Sequence, residues 1–148
     1  MAISNDSELK AALHGLSTAQ QRQVAARFTE SVLSLSADPR VVGAVIAAKR
    51  PDITDPELAA MYQAAKTASV ESYTQCGKEC DWAVQAGHFV SKAATACVQP
   101  AEAGASLAWE AAMQARMARM SETIATGEGT ENREAEAQYR ILEAFLNN

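Results

Sequence analysis

The 148-residue chain predicts an all-α fold, a single-domain bundle of about six to seven mostly antiparallel helices, on three observations. Alanine is about one residue in five, and nowhere do Val, Ile and aromatic residues alternate with polar ones over a strand's length. Three helix starts are spelled out: Ser17 precedes Gln20 in capping-box spacing, and Asp38-Pro39 and Asp55-Pro56 each place an N-cap acid before a proline at the first helical position. Apolar residues then recur at helical spacing, as in Val24, Phe28, Val32 and Leu35.

Taken in order, the pattern gives a short helix over 6–15 and a second over 18–36 carrying that Phe28 stripe. A third runs over 39–49, opened by Asp38-Pro39 and stopped by Pro51. The fourth, 56–75, bears Leu58, Met61, Tyr62, Ala65, Ser69 and Tyr73 on one face. The fifth, 78–98, is Ala-rich and ends before Pro100, with Gly77 marking the break ahead of it. The sixth, 104–126, carries Met113, Met117, Met120 and Ile124, a stripe read as core with Arg116 and Arg119 snorkelling toward Glu110 or Glu122. Gly127-Glu128-Gly129 separates it from the seventh, 131–146. Short loops favour antiparallel neighbours, and the alanines allow helix axes to approach closely. Gly87 lies inside a helical pattern, where it costs about 1 kcal/mol against Ala, so close approach of another backbone is its expected reason.

Composition narrows the function. With 48% hydrophobic and 21% charged residues the chain sits in the globular regime, and no run approaches the roughly 20 apolar residues of a membrane helix. The start, Met1-Ala2-Ile3-Ser4-Asn5-Asp6, has neither a basic flank nor an apolar run, and three cysteines make an odd count. Both point to a cytoplasmic protein with reduced thiols. A net charge of -5 argues against general affinity for nucleic acid or anionic lipid. From Glu122 onward there are six acidic and two basic residues, so the end of the chain is an acidic face for a basic partner or a solvated helix surface.

The densest group of reactive side chains is Cys76, Cys80 and His88. Were 76–88 one helix, about 100° per residue would bring the three toward one face, a metal site short of a fourth ligand. The same residues also read as small buried thiols and a core imidazole. One histidine does not make a haem pocket, and no cofactor is called for. Trp82, Trp109, Tyr73 and Tyr139 suit either core anchoring or an interface. Signatures for nucleotide binding, hydrolysis or zinc proteolysis are absent, and Glu131, Glu134 and Glu136 sit on a charged terminal helix without signs of burial. These residues point away from an enzyme.

Val24-Ala25-Ala26-Arg27, Asp38-Pro39-Arg40, the Ala-rich central helices with Ala64-Ala65, Gly87-His88 and Ala93-Ala94, and Arg133 ahead of Gln138-Tyr139 and Leu142 together resemble the all-α immunity proteins of bacterial polymorphic toxin systems. The resemblance runs over most of the chain. It implies an inhibitor that binds a cognate toxin without cofactor or turnover. An acidic last helix suits the basic groove of such a toxin by charge complementarity. The expected contact surface is Trp109, Glu131, Arg133, Glu134, Tyr139 and Arg140. Two other readings stay open: a metal- or ligand-binding bundle, a sensor or small enzyme, using Cys76, Cys80 and His88, and a structural homo-oligomer, most simply a dimer.

Overall fold

The computed structural model describes residues 2–76, 81–100, 106–127 and 133–147, with the side chains of residues 75 and 76 left aside. Among the described residues there are seven α-helices and no strand. They are α1 (Asp6–His14), α2 (Thr18–Glu30), α3 (Pro39–Lys49), α4 (Asp55–Cys76), α5 (Trp82–Val98), α6 (Leu107–Thr126) and α7 (Glu134–Leu146), with a 3-10 turn at Leu33–Leu35. No helix among the described residues is long and apolar enough to cross a membrane.

The helix starts follow the side-chain chemistry. Ser17 Oγ accepts from Gln20 N at 3.2 Å while Gln20 Oε1 accepts from Ser17 N at 3.0 Å, a closed capping box. Asp38 accepts from Arg40 N at 2.9 Å with Pro39 at the first helical position, and Asn5 and Asp81 cap α1 and α5 in the same manner. At α4 the cap lies one residue earlier than the sequence suggested. Thr54 and Glu57 exchange side-chain and backbone bonds at 3.3 Å each, so Thr54 takes the N-cap and Asp55 becomes helical. The helix expected over 18–36 breaks after Glu30 and continues only as the 3-10 turn, although Val24, Phe28 and Val32 are fully buried as the stripe requires. Gly127 closes α6 with φ of 67°, the left-handed conformation that glycine adopts without strain.

Cross-helix pairs fix the directions. Arg40 meets Glu71 and Arg50 meets Glu57, so α3 and α4 run antiparallel. Ser72 meets His88 and Ser91 while Ser69 shares a groove with Lys92 and Thr95, which sets α4 against α5 in the same way. Arg119 to Glu134 and Arg116 to Gln138 do so for α6 and α7. Helix α5 lies at the centre, touching α2, α3, α4 and α6.

Alanine forms much of the core. Ala108, Ala111, Ala112, Ala115 and Ala118 of α6, with Ala93 and Ala94 of α5, are fully buried. The apolar stripe Met117, Met120 and Ile124, expected inside, instead faces solvent at 40%, 46% and 47% exposure. The cause is steric: helices whose contact faces are alanine can pack closely, and a closely packed seam has no room for methionine. Tyr73 and Trp82 are likewise exposed rather than core. Gly87 is where backbones meet, because a Cβ there would lie 3.3 Å from the Leu35 carbonyl oxygen.

Candidate functional site

Helix α6 presents two chemically different faces. One is the alanine seam; the other carries Met113, Met117, Met120 and Ile124, at steps of four, three and four residues. Beside Met113, a groove of roughly 390 Å³ runs over α5 between α4 and α6, walled by Ser69 on one side and by Trp109, Met113 and Gln114 on the other, and floored by Thr95 and Ala96. The exposed stripe extends this groove along α6. Three neighbouring apolar side chains are thus all more than a third exposed, and large apolar groups lose free energy when left in water.

The residues expected to form an acidic contact surface are mostly occupied within the molecule. Glu134 is 3% exposed and accepts from Arg119 Nε at 3.0 Å and from Ser31 Oγ at 2.6 Å. The charged terminal helix therefore buries one of its acids, against the expectation of a solvated face. Burial follows from the Arg119 guanidinium, which bonds Glu122 at 2.7 Å and the Ser31 carbonyl at 2.9 Å and so forms a ready site for the carboxylate. Tyr139 donates to Asp6 Oδ1 at 2.8 Å, and Arg116 grips the same carboxylate through both terminal nitrogens at 3.0 and 2.8 Å. Bonding to Arg116 holds the Asp6 carboxyl down at about 2. Gln138, fully buried, donates to the Ala112 carbonyl at 2.9 Å and accepts from Arg116 Nε at 2.9 Å. Trp109 has Lys10 Nζ at 4.3 Å from its ring centroid and Arg116 at 5.6 Å. Arg133 and Arg140 are exposed, the latter 3.9 Å from Glu136. Glu131 lies outside the described residues.

Residues 76–88, the span of the proposed ligand trio, are not one continuous helix. Helix α4 ends at Cys76 and α5 begins at Trp82, so the condition for aligning Cys76 with His88 is not met. Cys80 and Gly77 lie outside the described residues, and no cluster of three metal-binding side chains occurs among those described. His88, 8% exposed, instead joins Ser72 of α4 and Ser91 of its own helix beside a cleft of roughly 320 Å³. Ser72 Oγ donates to the Ser69 carbonyl at 2.9 Å and stands 2.8 Å from His88 Nδ1. When the Ser72 proton lies on the Ser69 carbonyl, the imidazole donates from Nδ1 to Ser72 Oγ. The contact staples α4 to α5. Burial, with Lys92 nearby, pushes the His88 pKa below 6.5.

Cys97 is a buried thiol beside Thr29 Oγ1 at 3.2 Å, pushed up to about 12 by burial. Arg22, missed in the sequence, donates from Nη1 to the carbonyls of Cys97 and Gln99 at 2.7 and 3.0 Å, where a cation favours the end of α5. Ser72 was also missed, since it gains its role only from His88 on the neighbouring helix. No family model matches the chain, and no curated protein or solved structure is detectably similar to it. The class defined by fold and site is thus an all-α helical bundle with an exposed apolar helix face.

Proposed function

We propose that the chain is a non-enzymatic protein-binding module whose principal contact is the outer face of α6. The observation that carries this reading is the exposed row Met117, Met120 and Ile124 on a helix whose buried face is alanine. Such a row costs free energy in the free chain and regains it when covered, and methionine adapts to the shape of a partner. The proposal moves the anchor from α7 to α6, because Glu134 and Tyr139 are held within the bundle. Trp109, beside the groove, and the exposed Arg133 and Arg140 remain as rim contacts. In keeping with the family resemblance, the function is neutralisation of a cognate bacterial toxin in the cytoplasm.

The test is the native and denatured mass of the tagged chain purified from its own cells. A second polypeptide lost on denaturation is expected. A bare monomer at micromolar concentration overturns the proposal. A bare dimer would assign the same α6 face to self-association, the reading that the exposed row favours second.

A further inference from the structure

We propose that the groove between α2, α3 and α7 binds a small organic carboxylate through Arg27. The groove encloses roughly 540 Å³ and is lined by Arg27, Glu30, Ser31, Lys49, Ile141 and Ala144, none of them on α6. Arg27 sets it apart from the rest of the surface. Arg22, Arg40, Arg50, Arg116 and Arg119 each donate to carbonyl or carboxylate oxygens of the chain. Arg27, though partly buried, makes no hydrogen bond or ion pair among the described residues. Its guanidinium carbon lies 5.3 Å from the centre of the Phe145 ring, a cation–π contact that steadies the group without engaging its N–H donors as hydrogen bonds to oxygen would. A guanidinium is a fixed planar fork of donors, and a fork held in place without an acceptor of its own is arranged for a planar oxyanion from outside the chain.

The neighbouring groups select the kind of anion. Lys49 is engaged by Glu30 at 2.8 Å, and Ser31 spends its hydroxyl proton on Glu134 at 2.6 Å. Among the lining residues Arg27 is therefore the uncompensated charge, and it balances a single negative one. A carboxylate carries one charge and meets the fork through two parallel N–H to oxygen bonds. A phosphate dianion would bring a second charge toward Glu30, with Lys49 already taken. Ile141 and Ala144 make the α7 side of the groove apolar, so the ligand that fits carries its carboxylate on an apolar body, as an aromatic or short aliphatic acid does.

The probe is benzoate, titrated into the full chain and followed by heteronuclear NMR, with benzamide as its neutral isostere and inorganic phosphate in parallel. Saturable shifts confined to the parts of α2, α3 and α7 around the groove are expected, with benzoate bound at least about tenfold more tightly than either control. Arg27→Gln should weaken benzoate by at least about tenfold. Arg27→Lys keeps the charge and loses the fork, so it should weaken benzoate by at least about threefold, and it carries the test if Arg27→Gln does not fold. Equal binding of benzamide, phosphate bound as tightly as benzoate, affinity unchanged in the folded Arg27 variants, or no saturable shift overturns the inference. Both variants leave the α6 row intact, so benzoate binding and the retention of a protein partner are read independently.

Discussion

Tyr139 of α7 donates a 2.8 Å hydrogen bond to Asp6 of α1, and through it the two ends of the chain are tied to Arg116 of α6. Ile3 N adds a 2.6 Å bond to Glu143 across the same seam. The Asp6 carboxyl, held at about 2 against an ordinary 3.8 by its bond to Arg116, favours the folded state when ionised. Its contribution is complete above pH 3.8 and disappears as pH falls toward 2. Asp6→Asn should flatten the acid limb of a chemical-denaturation series in that window, with salt reducing the difference because Asp6 is half-exposed. Tyr139→Phe should cost about 1 kcal/mol at neutral pH, and an unchanged denaturation midpoint would contradict the bond.

The two faces of α6 should respond oppositely to substitution. Met117→Glu should change stability by less than about 0.5 kcal/mol, since its side chain is 40% exposed. Ala115→Leu should cost about 1 to 3 kcal/mol by overfilling a fully buried seam, and Phe28→Ala about 3 to 5 kcal/mol by emptying one. Urea midpoints for the three variants decide this; a large loss in Met117→Glu would return the methionines to the core.

That reversal also marks the boundary of what the sequence could reveal. Helix starts were readable because a cap is local: Ser17 and Gln20, or Asp38 and Pro39, meet their partners within four residues. Which face of α6 turns inward is not local. Both its alanines and its methionines form a helical stripe, and the choice between them depends on how closely α5 and α2 approach. The same holds for His88, whose partner Ser72 sits sixteen residues away on α4, and for Glu134, whose burial depends on Arg119 and Ser31. Thr54 shows a local signal misread, because the Thr54 and Glu57 box outranks Asp55 before proline.

His88 should make the α4 and α5 packing sensitive to mild acid. Burial favours the neutral ring, so the folded pKa lies below 6.5 and the unfolded chain takes up its proton first. Stability is whole above pH 6.5 and declines as pH drops below it. Unfolding midpoints measured from about pH 7.5 to about pH 5.5 should fall more steeply in the parent chain than in His88→Gln. Equal slopes would contradict the burial argument.

Cys97 should be inert while the chain is folded, since its thiol is fully buried and pushed up to about 12. Alkylation by iodoacetamide, followed by mass analysis of the peptide holding Cys97, should find no adduct in native buffer and full modification in denaturant. Modification in native buffer at the rate of an exposed thiol would show that α5 opens.

The most direct test of the α6 face compares the parent chain with Met117→Glu/Met120→Glu, each purified from its own cells and weighed under native conditions. The double variant should keep its unfolding midpoint and lose the second polypeptide that the parent retains. A double variant that is equally stable and still carries that polypeptide in full would contradict the assignment of α6 as the contact.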